Sequence, residues 1–466
     1  MSTPIRLTRV VVKNFRGLKD VAVDLDISTV LVGENNTGKT TFLRAIQLVL
    51  EGVRGRRGPA LEPFDFHLDG PDADPTKAPP IEITLEFLEP EPDAWPDEEV
   101  QTLRDVAPYR DDDRRRVALR GTAKFDPAVA EPVLTIEFLN PNNDVLAGKG
   151  NLIPKLRSLR PFFFLSALRD ASREFSRNSS YWGPFVRQGQ IADEQRLKLE
   201  AAVAEVNKMV VEAHVPFRDV QAGLAKAHQV VPVGGEDAVT IDALPTRLFD
   251  LLSRTQVSLV SGSGVRLPLG RHGEGTQSLS VMLLFDAFVQ TRLAQDIDRL
   301  AQPIIALEEP EAHLHPGAVR ALWALVAGMK GQQVVATHSG DLLAEVEFER
   351  VRRFSRSGDD VSVHAIAPGT FAPEEQRKLN HHIRRTRGEL LFARTWLLVE
   401  GESEATVLDA CARVLDAGLD RQGVRIVEFT QCGLKTFINA AEALGIAWHA
   451  LVDGDAEGQK YAATAR

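Results

Sequence analysis

The sequence predicts an α/β fold made of two parallel-sheet units in series, with a helical segment interrupting the first. Three observations carry that prediction. An apolar strand, Ser28–Val32, runs straight into Gly33-Glu34-Asn35-Asn36-Thr37-Gly38-Lys39-Thr40 and then into Thr41–Leu50, where apolar residues recur at helical spacing. Residues 190–255 read as mostly helical, with polar–apolar periodicity from Ala192 to Ala213. From Arg394 the pattern restarts as strand, helix, strand, helix, strand over 395–400, 403–416, 424–429, 433–445 and 447–453. That alternation is the signature of a parallel sheet with crossover helices.

The other elements follow in order. Arg6–Leu25 alternates around Asn14-Phe15-Arg16-Gly17-Leu18 and predicts two short strands joined by a turn. Residues 53–80, rich in Gly, Pro and Asp, predict an irregular connection. Ile81–Leu88 reads as a strand, 89–115 as polar connection, and the charge run Asp111–Arg116 as a solvated loop or turn. Val117–Phe125 and Val133–Phe138 predict an antiparallel pair, and Phe162–Leu165 a buried strand. Leu279–Arg292 and Gly317–Met329 read as helices, Ile304–Leu307 and Gln333–Thr337 as strands.

Composition bounds the function. A chain of 466 residues predicts two to four domains at roughly 150 residues each. Hydrophobic residues make up 44 % and charged residues 26 %, enough for a sizeable core. The formal net charge of −10 excludes nucleic-acid binding through the overall field, so any DNA contact needs a local basic patch. Two cysteines, Cys411 and Cys432, exclude a disulfide framework and fit a reducing, cytoplasmic setting. No run of apolar residues is long enough to span a membrane.

The segment Gly33–Thr40 matches G-x-x-x-x-G-K-[ST] in full. Its glycines let backbone N–H groups wrap phosphate, Lys39 neutralises the outer phosphates, and Thr40 offers its hydroxyl to Mg²⁺. Asn35, Asn36, Thr37, Gly38 and Thr41 complete the expected ATP contacts. The strand 304–307 ends in Glu308-Glu309: Glu308 is assigned to the metal and Glu309 to activating the attacking water. The strand 333–337 ends in His338, placed to sense the γ-phosphate. A second Gly-rich loop, Gly270–Ser278, precedes a helix and predicts another anion site. It suggests ATP held between two protomers.

A second acidic set lies in the last unit. Thr395–Val399 is followed by Glu400-Gly401-Glu402-Ser403-Glu404, and Leu451-Val452 by Asp453-Gly454-Asp455. Carboxylates at the C-terminal ends of two parallel strands converge on one crevice. Hard oxygen ligands of this kind hold Mg²⁺ or Mn²⁺, which polarise a phosphodiester and generate hydroxide. Either pair alone reads more readily as surface acid in strand-to-helix loops; the two together favour a site. Nearby, five of the eleven residues Arg377–Arg387 are Arg or Lys. They track DNA phosphates or form a solvated helix face, and both readings stand.

Asn14-Phe15-Arg16-Gly17, the P-loop, Gly273-Glu274-Gly275-Thr276-Gln277-Ser278, the run Glu308–Pro316 and Thr337-His338-Ser339 together resemble the ABC-type ATPase of the OLD (overcoming lysogenization defect) family, with RecF and SMC proteins as more distant relatives. The acidic set resembles a Toprim domain, which OLD proteins carry after the ATPase. The resemblance implies that Arg16 binds ATP, that Gly275 and Ser278 reach the partner protomer's ATP, and that Glu311–Pro316 lies at the ATPase dimer interface. By position it makes Glu400, Glu404, Asp453 and Asp455 metal ligands, with Glu400 also in proton transfer and Glu402 unassigned. Phe162–Asp170, with Arg169, also looks familiar from the family. Glu308 stands where transporter-type ATPases have Asp, and the Leu-Ser-Gly-Gly-Gln signature is missing, which implies slow or substrate-gated turnover.

The expected layout is an ABC/SMC-like ATPase in two segments, 1–165 and 266–392, a helical insertion or dimerisation arm, 166–265, and a Toprim domain, 393–466. The 73 residues from Arg394 to Arg466 are short for that module, so an incomplete, C-terminally truncated Toprim domain is expected. The expected function is an ATP- and metal-dependent DNA endonuclease using Mg²⁺, with Mn²⁺ or Ca²⁺ as alternatives at the Toprim site. The family implies a homodimer or higher oligomer, a role in defence against phage, and a UvrD-like helicase or other defence partner. The alternatives are a RecF- or SMC-like repair ATPase without nuclease activity, and an ATP-gated sensor that recruits a separate toxin.

Overall fold

The strands in chain order are β1 (Leu7–Phe15), β2 (Leu18–Asp24), β3 (Ser28–Val32), β4 (Ile81–Leu88), β5 (Arg116–Asp126), β6 (Glu131–Leu139), β7 (Phe162–Leu165), β8 (Ser258–Val260), β9 (Arg266–Pro268), β10 (Ile304–Glu308), β11 (Gln332–Ala336), β12 (Val351–Ser357), β13 (Asp360–His364), β14 (Thr395–Val399), β15 (Val424–Glu428) and β16 (Ala447–Leu451). The structure, a computed structural model, describes residues 3–52, 61–70, 72–167, 192–217, 219–220, 244–245, 257–260, 264–295, 300–386 and 388–465. The chain divides into one unit of Met1–Ala167 with Val289–Arg466 and a second of Leu168–Phe288.

In the first unit, five strands form an antiparallel sheet in the order β2-β1-β4-β5-β6. Its strands bury alternate residues: Ile81, Ile83, Leu85 and Phe87 of β4 are all fully buried, the period-two pattern of a sheet with one covered face. The second sheet runs β13-β12-β3-β11-β10-β7 and is parallel except for the β12–β13 hairpin. Its central strands β3 and β11 are buried at every position.

Helix α1 (Lys39–Glu51) fills the space between the two sheets, touching β1, β4 and β5 on one side and β7 and β11 on the other. Burial on both sides explains why Phe42, Leu43, Ala45, Ile46, Leu48, Val49 and Leu50 are all inside. Each fully buried large apolar side chain contributes about 1.5–3 kcal/mol. Gly121 in β5 makes room for the helix, because a Cβ there would lie 2.9 Å from Val49. The helix starts at Lys39, two residues before the expected Thr41, so the P-loop lysine and threonine belong to its first turn.

The last part of this unit is a parallel three-stranded sheet, β15-β14-β16, in register from Thr395 opposite Ala447 to Val399 opposite Leu451. The helix Leu434–Ala443 covers it with Leu434, Phe437, Ile438, Ala440 and Ala441, and Phe437 meets Trp396 edge-on at 5.9 Å. The helix Glu402–Val414 buries none of its residues.

In the second unit, the helix Asp193–Ala213 buries only Asn207 and Val211. Asn207 bonds both backbone groups of Leu244, at 2.8 and 2.6 Å. β8 and β9 form a short hairpin. The helix Glu274–Gln295 begins here and continues past the unit's boundary. Much of the expected helical stretch 190–255, and the Leu168–Asp170 part of the family-like segment with Arg169, lie outside the described residues.

Several elements differ from expectation. The 89–115 connection contains helix α2 (Asp97–Leu103), and α3 (Ile153–Leu159) precedes β7. The charge run 111–116 is a turn only as far as Asp113; Arg116 opens β5 and is buried, paired with Glu86 at 2.6 Å. The β12–β13 hairpin went unpredicted because Val-Arg-Arg-Phe-Ser-Arg-Ser reads as polar. Two of those arginines are nonetheless buried, since their guanidinium groups bond backbone carbonyls: Arg352 to Asp24 at 2.6 Å, Arg353 to Ala393 at 2.7 Å. A buried charge is tolerated when its donors are satisfied in this way. The basic run 377–387 lies on the helix Pro373–Arg385 and the turn after it.

Candidate functional site

The P-loop follows β3 at the C-terminal edge of the parallel sheet, where α/β folds place their ligands. Its backbone needs glycine at two points. Gly33 has φ of 148°, and a Cβ there would strike the Phe354 carbonyl; Gly38 has φ of 93°. A cleft of about 480 Å³ opens over the loop. It is lined by Arg16, all of Asn35–Thr41, Glu308, Glu309 and His338. Every ATP-site residue expected in this unit therefore meets at one cleft. Gly275 and Ser278 sit in the first turns of Glu274–Gln295, in the other unit.

Lys39 is buried, and its Nζ donates to the carbonyls of Gly33 and Glu34, both at 2.8 Å. Burial pulls its pKa down to about 8, against the opposing pull of Glu309, Glu308 and Glu34. Thr40 Oγ1 donates to Glu308 Oε1, so hydroxyl and carboxylate are already side by side. Such a pair of oxygen donors would suit a hard divalent cation. Glu309 takes φ of 44° as the chain leaves β10, and its N–H bonds Ala336 O at 2.8 Å. His338 Nε2 lies 3.7 Å from Glu309 Oε1. Burial, and then the Lys39 charge, lower the His338 pKa, which favours its neutral ring.

Two carboxylates that carried no assigned role at this site hold it in shape. Glu311 accepts from Thr337 Oγ1 at 2.5 Å and from His338 N at 3.1 Å, fixing the corner that presents His338. Burial raises its pKa. Asp65, buried in a 3₁₀ turn at Pro63–Asp65, accepts from Arg16 Nε at 2.7 Å. It holds the guanidinium at the cleft wall, while Arg16 itself turns through a φ of 51°. Glu311 lies in the run Glu308–Pro316, which the family resemblance assigns to a dimer interface rather than to this corner, and Asp65 belongs to no motif. Asp65 lies 49 residues from its partner, in a stretch that reads as loop.

The second acidic set lies at the end of β14 and β16. These strands are adjacent, parallel and in register, so Glu400 and Asp453 leave the sheet at the same edge. Glu400 Oε1 accepts from Asp453 N at 2.9 Å. The other two carboxylates are engaged locally. Glu404 Oε2 accepts from Gly401 N at 2.9 Å, capping its own helix. Asp455 caps Ala456–Thr464 by accepting from Glu457 N at 3.0 Å and Gly458 N at 2.7 Å. Gly458 lets that helix pack on the Asp453 carbonyl, which a Cβ would strike. Among the described residues no group of three or more His, Cys, Asp or Glu is gathered closely enough to hold a metal. The donors suit Mg²⁺ by type, all being exposed or half-buried carboxylates. Each cap engages one oxygen of its carboxylate, Oε2 of Glu404 and Oδ1 of Asp455.

Comparison with known proteins agrees with this layout. Residues 6–117 match the AAA ATPase domain family. Residues 257–389 match a family described as a protein of unknown function, DUF2813. Residues 391–455 match the overcoming lysogenization defect protein-like TOPRIM domain. The uncharacterized protein YbjD of Escherichia coli is 28 % identical over 99 % of this chain and 81 % of its own length. The OLD nuclease of Thermus scotoductus is 28 % identical over 96 % of this chain and 82 % of its own. Endonuclease GajA of Bacillus cereus is 21 % identical over 98 % of this chain and 76 % of its own. The chain therefore joins an AAA ATPase domain to an OLD-like TOPRIM domain, the pairing that the resemblance to the OLD family implies.

Proposed function

We propose that this protein is an ATP-dependent DNA endonuclease whose ATPase gates phosphodiester hydrolysis at the Toprim strand ends. The observation that carries the reading is the emergence of Glu400 and Asp453 from adjacent parallel strands, in a chain whose P-loop cleft is lined by Arg16, Asn35–Thr41, Glu308, Glu309 and His338. The nuclease names of the Thermus and Bacillus relatives support the same class of reaction.

At the cleft, Lys39 and the loop N–H groups hold the phosphates. Thr40 and Glu308 would hold Mg²⁺ against them. Glu309 orients water and takes its proton, and neutral His338 offers a hydrogen bond rather than a charge to the γ-phosphate. At the strand ends Glu400, Asp453, Glu404 and Asp455 would hold Mg²⁺, Mn²⁺ or Ca²⁺. A divalent ion bound there supplies Lewis acidity toward a phosphate oxygen and lowers the pKa of its water. Glu400 would also take part in proton transfer there. Homodimerisation, with Gly275 and Ser278 completing the partner's ATP site, a role in phage defence and a helicase-type partner extend the same proposal. Among the described residues no helix is long and apolar enough to cross a membrane.

The test is nicking of supercoiled plasmid in Mg²⁺ or Mn²⁺, alongside ATP binding. Glu400→Ala and Asp453→Ala should each lower nicking by about 100-fold and leave ATP binding intact. Lys39→Ala should remove ATP binding. Wild-type nicking by both Toprim variants sinks the assignment. An inactive wild type that still binds ATP turns the reading to a RecF- or SMC-like ATPase.

A further inference from the structure

The P-loop reaches the second parallel sheet through one acidic residue that its motif leaves unassigned. Glu34 follows the first P-loop glycine, and its carboxylate takes a bidentate pair from Arg394, at 2.6 and 2.7 Å. Arg394 stands immediately before β14. Its N–H bonds Gly423 O at 2.8 Å, and its carbonyl accepts from Ala447 N at 3.0 Å. It is thus rooted at the base of β15 and β16 as well as β14.

Two further contacts give this pair a direction. On the nucleotide side, the Glu34 carbonyl accepts from Lys39 Nζ at 2.8 Å. Glu34 is therefore bonded through its backbone to the phosphate-binding lysine and through its side chain to the root of the strand that ends in Glu400. On the Toprim side, the buried Arg353 of β12 donates to Leu391 O at 3.0 Å, Ala393 O at 2.7 Å, Leu444 O at 3.0 Å and Gly445 O at 3.2 Å. Those carbonyls flank β14 and β16. They fix the base of the sheet to the ATPase strand that passes behind the P-loop.

We propose that Glu34 and Arg394 are positioning residues that relay phosphate engagement at Lys39 to the Toprim strand ends, with Arg353 as the fixed pivot. The proposal rests on the ATP-dependent nuclease reading and names how its two sites communicate. The Glu34 carbonyl accepts from both Lys39 Nζ, at 2.8 Å, and Thr37 Oγ1, at 2.9 Å. A phosphate that takes the Lys39 ammonium leaves it the Thr37 hydroxyl alone, and the Glu34 peptide, held by one bond instead of two, turns about that contact and carries its side chain with it. The bidentate geometry makes the Arg394 partner sensitive to that rotation, because a planar fork tolerates little misalignment. From Arg394 the shift passes along β14 to Glu400, a span of about 20 Å for an extended strand. The ion pair is exposed, 64 % at Arg394 and 45 % at Glu34. An exposed pair biases an equilibrium by about two- to fivefold. That weakness lets the contact open and close, whereas the four bonds of Arg353, three of them buried, stay made.

The experiment is hydrogen–deuterium exchange on the full chain, with and without a non-hydrolysable ATP analogue and Mg²⁺, following peptides over 394–400 and 446–453. The wild type should bind the analogue and change exchange in both peptides. Arg394→Gln should keep analogue affinity within about twofold and lose the change at 394–400 by about two- to fivefold, with Arg394→Lys recovering part of it. Glu34→Gln should lose the same change. A purely structural pair would lower protection equally with and without nucleotide, and that outcome overturns the relay. So does a full wild-type response in Arg394→Gln, or a wild type that binds the analogue with no change over 394–400. A wild type that binds no analogue sinks the functional reading, and the relay with it.

Discussion

Lys39 shows how burial tunes a single binding residue. Its pKa is pulled down to about 8, so the ammonium that phosphate needs is complete only below that value. Nucleotide affinity should therefore be level up to about pH 7.5 and fall as pH rises through about 8. Lys39→Arg, whose charge persists, should show no such fall. Dissociation constants for an ATP analogue measured across that range check this, and a profile for the wild type that stays level to about pH 9.5 refutes it. The sign for stability is opposite. Between about 8 and 10.5 the unfolded chain binds more protons at this lysine than the folded one, so its contribution to stability grows as pH rises through that window. Burial, and then the Lys39 charge, lower the His338 pKa as well. At this scale the motif residues Asn35–Thr41, Glu308, Glu309 and His338 were legible because each sits at a strand end or in a spaced pattern. Asp65, Glu34 and Arg353 were not. Their partners lie 49, 360 and up to 92 residues away, and no local pattern marks such a contact.

Among the elements, the P-loop depends most on a single backbone position. Gly33→Ala puts a methyl against the Phe354 carbonyl, at a φ of 148° that alanine disfavours. It should cost about 3 kcal/mol in urea unfolding and remove nucleotide binding. Gly150→Ala, with open space around its Cβ and no positive φ, is the control and should change stability by less than about 0.5 kcal/mol. A Gly33→Ala variant as stable as that control refutes the clash. Strands β1, β3, β4, β10, β11, β14 and β16 were legible because apolar runs and alternation follow directly from which faces a sheet buries. The β12–β13 hairpin was hidden because its inward positions include Arg352 and Arg353, whose burial depends on carbonyls supplied by distant segments.

For the whole first unit, Arg353 is the tie between the ATPase strands and the Toprim sheet. Burial lowers its pKa to about 10, well above neutrality, so it remains charged there. Arg353→Met keeps much of the volume and leaves four carbonyls without their donor. It should cost about 3 kcal/mol or more and split one thermal transition into two, the Toprim sheet melting first. A single transition at the wild-type temperature, followed by calorimetry, counts against the tie. By itself, the sequence determined the Toprim sheet, the ATPase parallel sheet apart from the β12–β13 hairpin, the P-loop and the acidic strand ends, because each is written in short-range periodicity and spacing. The tertiary structure alone decided which carboxylates meet. It brings Glu400 to Asp453, keeps Glu404 and Asp455 on helix caps, and sets Glu34 against Arg394. Those outcomes depend on strand register and on hydrogen-bond competition between side chains and backbone, which no local pattern encodes.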